Sequence, residues 1–261
     1  MEVGILGFIV AGLVVGFIVG MTGVGGGSLM TPILLWFGIN PATAVGTDLL
    51  YAAITKSGGI FVHQKNKNID WSITGWLTLG SVPAAALTLL LLHNLSADTH
   101  AVNAVIRQTL GFVLLLTALA ILFKQQLLNF ASKHAGDHYH LSGTSLNALT
   151  VVTGAILGIM VTLTSIGAGA LGTVALFLLY PFLATKRLVG TEIAHAVPLT
   201  LVAGLGHAGM GNMDWALLGY LLIGSLPGIY FGSHLSGRIP DNVLRPCLAT
   251  MLMLIGYKLA F

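Results

Sequence analysis

"GMTGVGGGSLMTP", residues 20–32, sets five glycines between two apolar runs. Three readings compete for it: a nucleotide cradle, a flexible hinge, or a break in a membrane helix. A dinucleotide fingerprint needs a third glycine and a preceding strand. Gly23 and Gly25 fit its first two positions, but the third is Ser28, and the residues before it form an apolar run long enough to span a membrane. The lysine of a phosphate-binding P-loop is also absent. Small residues do let transmembrane backbones approach closely, which explains scattered glycines. It explains Gly25-Gly26-Gly27 less well, because each glycine costs a helix about 1 kcal/mol. A broken helix is tolerated at membrane depth where it lines a cavity. Ser28 then reads as the N-cap of the next segment. The free N–H groups and positive dipole end of that segment favour an anion. Packing alone and an anion site both stay open here.

The rest of the chain places this stretch in a bilayer. Of 261 residues, 56% are hydrophobic and 7% charged, against about 25% charged in an ordinary globular chain. Mean hydropathy is +0.92, and runs of about 20 apolar residues recur. The net charge of +3 is therefore no sign of nucleic-acid binding. The lone Cys247 excludes an internal disulfide and a cysteine metal cluster, and reads as packing. Residues 1–20 lack a basic n-region and read as a retained first helix. The expected class is an all-α integral membrane protein.

Ten apolar segments fall into two sets of five: residues 1–123 as an N-terminal repeat, 146–261 as a C-terminal one, and a polar linker, 124–145, expected to be cytoplasmic. A shift of 144 aligns 23–83 with 167–227 without a gap, with 17 identities in 61 positions. "VGTD" (45–48) meets "VGTE" (189–192), His63 meets His207, "DW" (70–71) meets "DW" (214–215), and "GSVP" (80–83) meets "GSLP" (224–227). The glycine break recurs, degraded, as "SIGAGALGT" (165–173), with Gly167 and Gly169 matching Gly23 and Gly25. Such repeats mark membrane transporters. If every segment crosses, eight of the eleven basic residues fall on one side, as cytoplasmic loops require. The expectation is an inverted five-plus-five topology with both termini outside. Segment 28–37 spans only about 15 Å; if it re-enters without crossing, the copies are parallel.

Ionisable groups inside apolar segments are costly and point to function. Asp48 and Lys56 lie on the third segment, Glu192 and His195 on its partner. Lys56 is a candidate anion counter-charge, a partner of Asp48, or a residue snorkelling to the interface. Glu192 and His195, three apart, are within reach of each other. The substrate-binding candidates are Gly23, Gly25, Gly26, Gly27, Ser28, Thr47, Lys56, Ser165, Gly167, Gly169 and Thr191; Asp48, Glu192 and His195 are candidates for proton coupling. His63 and His207 read as hydrogen-bonders near helix ends, and Asp70 and Asp214 as caps beside interfacial Trp71 and Trp215. The spacing of His134, His138 and His140 would permit a metal, but a solvated loop is the simpler reading. No metal site or catalytic motif is expected.

The N-terminal helix, "GVGGGSLMTPIL", "NPATAVGTDLLYAAITKSGG", the short basic loop before "DW", and the weaker "GAGALGTVAL…ATKRLVGTEIAHAVPLTLVAG" occur in an order that resembles the sulfite exporter TauE/SafE-like permeases over nearly the whole chain. The resemblance implies transport of a small sulfur-containing anion, such as sulfite, thiosulfate or an organosulfonate, across the cytoplasmic membrane of a prokaryote, without a cofactor. The second copy departs from the pattern: its triple glycine is reduced to Gly169-Ala170, and Thr200 stands at the Lys56 position. An anion channel, a cation or metal permease and, third, a membrane enzyme are the alternatives. No nucleic-acid partner is expected, and the oligomeric state stays open, a homodimer included.

Overall fold

A computed structural model describes residues 4–22, 27–95, 99–123, 125–127, 143–234 and 241–261. Among them there is no strand. Ten helices of ten residues or more follow one another: α1 (Ile5–Thr22), α2 (Gly27–Trp36), α3 (Pro41–Lys65), α4 (Trp71–Leu95), α5 (Thr99–Leu122), α6 (Gly143–Thr164), α7 (Ala170–Leu179), α8 (Thr185–Gly209), α9 (Trp215–His234) and α10 (Asp241–Ala260). Five of them, α4, α5, α6, α8 and α9, contain stretches long and apolar enough to cross a membrane. The chain is an all-α, multi-pass membrane protein. Helix α3 is as long as α8, but Asp48 and Lys56 dilute its apolar character. Helix α6 begins at Gly143, inside the stretch read as linker.

Local chemistry sets several boundaries. Pro41 opens α3, where its missing N–H is no loss, and the Asn40 side chain accepts from the Ala42 N–H at 3.0 Å. Asp70 Oδ1 accepts from the Ser72 and Ile73 N–H groups at 3.1 and 3.2 Å, and Asp214 Oδ1 from Leu217 N–H at 2.9 Å. Both "DW" aspartates are thus the caps their sequence promised, and Trp71 and Trp215 are exposed beside them.

The two copies do not form separate bundles. The most extensive pairings are α1 with α9, α4 with α6, α3 with α8 and α5 with α10, and each joins one copy to the other. The 144-residue shift turns α4 into α9, and a shift of 142 turns Gly12 and Gly16 of α1 into Gly154 and Gly158 of α6, so the pairs α1/α9 and α6/α4 are images of each other. Gly12, Gly16 and Gly20 of α1 lie against the backbone of Leu221, Ser225 and Ile229, while Gly224, Gly228 and Gly232 of α9 lie against Ile9, Leu13 and Phe17. Numbers rise together, so the helices run parallel. A Cβ at any of these glycines would collide with a carbonyl oxygen. Gly80, Gly154 and Gly158 make the same contacts between α4 and α6. Close backbone approach of this kind holds helices together in lipid, where burial of oil gives no drive.

The pair α3/α8 is different. Its helices correspond under the shift and run antiparallel: Gly46 meets Asn212 and Gly190 meets Asn68, with Leu50 against Gly204 and Gly59 against Ile193. Thr47 Oγ1 accepts from the Asp214 N–H at 3.2 Å, and Thr191 Oγ1 from the Asp70 N–H at 2.9 Å. Each contact has its image, as two-fold symmetry demands. The turn after α3 therefore lies at the start of α8, and the turn after α8 at the start of α3. These ends are about 37 Å apart for 25 residues.

Helix α2 is too short to cross a 30 Å hydrocarbon core, at about 15 Å. It does turn the chain back. Phe37, just beyond it, packs edge-on against Phe8 in the first turns of α1, with ring centroids 5.8 Å apart.

Candidate functional site

Helices α3 and α8 turn their ionisable residues toward the short helix α2, the stretch before α7, the opening turn of α7, and α4. Asp48, Lys56, Glu192 and His195 are all buried, Lys56 being 6% exposed. Asp48 is anchored from α2: Thr31 donates its backbone N–H (3.2 Å) and its hydroxyl (2.5 Å) to Oδ2. Charge-assisted bonds of this sort are short and strong. Asp48 Oδ1 has no partner.

The second-copy break spans residues 165–169, between α6 and α7. Ser165 has φ 58° and Gly167 φ 118°. The latter is accessible to glycine and scarcely to anything else, which gives Gly167 a physical reason. The break is internally tied: the Gly167 carbonyl accepts from the Gly169 and Gly172 N–H groups at 2.8 and 2.9 Å, and Thr164 Oγ1 accepts from Ile166 N–H at 3.1 Å.

Lys56 crosses from the first copy into this break and donates its ammonium to the Ala168 carbonyl. It does not snorkel to the interface. Asp48, Glu192 and His195 all lie within electrostatic reach of it. Glu192 packs on the opening turn of α7, so closely that a Cβ on Gly172 would come within 3.1 Å of its Cγ and 3.2 Å of its Oε1. Glu192 Oε1 is unpartnered, and the Ser165 hydroxyl stands near Asp48 without meeting it in hydrogen-bonding geometry. Lys56 thus stands between two buried acids, Asp48 with the Ser165 hydroxyl toward one end of α3 and Glu192 toward the other, each with acceptor capacity to spare.

His195 turns away from Glu192 and shares a 2.9 Å hydrogen bond between its Nε2 and Ser81 Oγ of α4. Its image in the first copy is Tyr51, which faces Ser225, the image of Ser81, without closing a bond. His207 donates its Nε2–H to the Thr162 carbonyl at 2.9 Å and is fully buried, not interfacial. His63 packs beside Gly190 and is part-exposed.

The structure therefore gathers Lys56, Asp48, Glu192, Ser165, Gly167 and Gly169. Thr47 and Thr191 serve elsewhere, as acceptors for the starts of α9 and α4. Gly23, Gly25 and Gly26 lie outside the described residues. Gly27 opens α2, so Ser28 falls inside the first turn and not at the cap. His134, His138 and His140 also lie outside the described residues; among those described, no three His, Cys, Asp or Glu side chains are arranged to hold a metal. Thr31, Ser81 and the Ala168 carbonyl were not foreseen. Ser81 had a signal, since "GSVP" and "GSLP" coincide under the shift; Thr31 and Ala168 had none.

Comparison with known proteins fits this architecture. The chain is 40% identical over 252 residues to a probable membrane transporter protein, YjnA, of Bacillus subtilis (strain 168), covering 96% of this chain and 98% of that one. A probable membrane transporter protein of Methanocaldococcus jannaschii is 28% identical over 269 residues, 95% of this chain and 92% of that one. No solved structure matches. The model of the family described as sulfite exporter TauE/SafE matches residues 8–259. A multi-pass helical architecture and a match over almost the whole length agree: the chain belongs to the sulfite exporter TauE/SafE family.

Proposed function

We propose that this transporter moves a small sulfur-containing anion (sulfite, thiosulfate or an organosulfonate) across the cytoplasmic membrane of a prokaryote and is not an enzyme. The observation that carries the reading is Lys56: a buried ammonium held at the carbonyl of a helix break, beside the opening turn of α7. A helix N-terminus and a cation together favour an anion's oxygens. The sulfite exporter description of the family supplies the sulfur chemistry.

The transport cycle is alternating access. Antiparallel packing of the corresponding helices α3 and α8 supports an inverted repeat, whose two-fold axis would lie in the membrane plane. Asp48 and Glu192 are the proton-coupling groups in this reading, each keeping an oxygen without a partner; His195, bonded to Ser81, is the third candidate. A cation permease is the rival, because two buried acids face one lysine.

Uptake of labelled sulfite, thiosulfate and taurine into proteoliposomes tests the anion reading. Lys56→Ala is expected to lower the flux at least 10-fold; unchanged anion flux, or cation flux instead, would overturn it. An imposed pH gradient that leaves the flux unaltered removes the proton role. Asn66→Cys and Met210→Cys should label from opposite sides of the membrane; labelling from one side rules out the inverted arrangement.

A further inference from the structure

Asp48 and Glu192 correspond under the 144-residue shift, yet the short helices beside them treat them differently. In the first copy Thr31 of α2 fixes Asp48, giving its N–H and its hydroxyl to Oδ2. The position matching Thr31 in the second copy is Ala175 of α7, which has no hydroxyl to give. Glu192 is one methylene longer, 2% exposed, and leaves Oε1 unpartnered. It lies at the amino end of α7. A Cβ on Gly172 would come within 3.1 Å of its Cγ, 3.2 Å of its Oε1 and 3.3 Å of the Gly167 carbonyl oxygen. At that end the N–H groups of Gly172 and Thr173 bond back to the Gly167 and Gly169 carbonyls. Those of Ala170 and Leu171 meet no acceptor among the described residues. The Lys56 ammonium, held at the Ala168 carbonyl, is within electrostatic reach of Glu192. A buried acceptor and two open donors thus stand at one helix end without joining, and a buried acceptor is costly to leave so.

We propose that the N–H groups of Ala170 and Leu171 form an anion site used in turn by the Glu192 carboxylate and by the transported anion, so that anion and proton bind together. Charged Glu192 turns its oxygens to these donors and repels any other anion from them. Protonated Glu192 releases them, and its O–H is then a donor for an oxygen of the incoming anion. The anion brings the charge that Glu192 gives up, so Lys56 faces one negative charge at this end in either state. Thr31 fixes Asp48 in place, which leaves Glu192 as the acid free to change partners. The other charged and titratable groups around this stretch of α8 are His63 of α3, Asp70 at the start of α4, and Arg187 and His195 of α8 itself. The break and the opening turn of α7 bring none. The inference rests on the anion-transport reading and names, within it, the acid that carries the proton.

The test is calorimetric titration of purified protein with methanesulfonate and with thiosulfate, whose charges are constant between about pH 5.5 and 8, the range to be scanned. For wild type the Kd should rise about tenfold per pH unit once Glu192 is ionised. Titrations in two buffers of different ionisation enthalpy should show about one proton taken up per anion bound in that part of the range. Glu192→Gln cannot ionise, and its Kd should stay within about 2-fold across the range, with no proton uptake. Asp48→Asn should keep both the slope and the proton. Where Glu192→Gln fails to fold, the wild-type proton count and the Asp48→Asn protein give the answer. A Glu192→Gln protein that keeps the slope overturns the proposal. So does an Asp48→Asn protein that loses it, or a wild type that binds either probe with no proton uptake anywhere in the range. A wild type that binds neither probe at any pH counts instead against the anion-transport reading, and this inference falls with it.

Discussion

The two copies agree in their scaffolding and differ in their charge. Gly46, Thr47, Asn68, Asp70 and Ser81 recur as Gly190, Thr191, Asn212, Asp214 and Ser225, and the first four of these recurrences make matching contacts across the two-fold. Between them, Lys56 stands against Thr200, and Tyr51 against His195. The identical positions are those where a backbone must approach or a helix must be capped from the other copy. Of the divergent ones, Lys56 reaches the break while Thr200 bonds its own helix, and His195 bonds Ser81 while Tyr51 leaves Ser225 unbonded. Symmetry is kept where the copies hold each other, and given up where one copy reaches into the other's break.

Breaking the symmetric part should be the most damaging change. Gly16→Leu drives a side chain into the Ser225 carbonyl, and neither backbone has anywhere to yield. It should destabilise by about 3 kcal/mol or more, read as loss of the monodisperse peak in detergent. Gly158→Leu, its counterpart in α6 against Ser81, should behave alike; if one is tolerated, the two seams are unequal after all. Making the divergent part symmetric is the sharper test. Lys56→Thr copies Thr200 into the first half and should keep the fold while lowering anion flux roughly 30-fold, the usual scale for truncating a buried, hydrogen-bonded charge. Ser81→Ala leaves His195 Nε2 without its partner and should cost about 1–3 kcal/mol; the same change at Ser225, whose hydroxyl is unpartnered, should cost less. Smallest of all is Asp70→Asn. The 2.9 Å Arg187–Asp70 pair is open to solvent, with side chains 47% and 21% exposed, and its loss should lower stability by no more than about 1 kcal/mol in thermal melts.

Much of this fold was legible in the sequence because a bilayer leaves few choices. Apolar length set α4, α5, α6, α8 and α9, the "DW" caps set two helix starts, and one shift of 144 residues matched the two halves. What the sequence withheld was partnership. Spaced glycines on α1 and α9 announce close packing, but nothing in their spacing says that α1 chooses a helix two hundred residues away over its neighbours. The site was legible to the same extent. Asp48, Lys56, Glu192 and His195 stood out by their cost in an apolar run. The Ala168 carbonyl did not, since every residue has a carbonyl and only the fold shows which one meets an ammonium. The cross-copy bonds of Thr47 and Thr191 were equally hidden, since only the fold shows that their hydroxyls accept from the Asp214 and Asp70 N–H groups.

The interlocking of the copies also bears on how the chain is made. Helix α1 is synthesised before the other nine described helices, and its principal partner α9 begins at Trp215. Until α9 enters the bilayer, the glycine-lined face of α1 has only lipid, or a wrong helix, to rest against. Contacts so distant in the chain form late. A ribosome stalled midway would release a half whose best contacts have not yet been translated, and two halves supplied as separate chains should accumulate only when both are present in the same membrane.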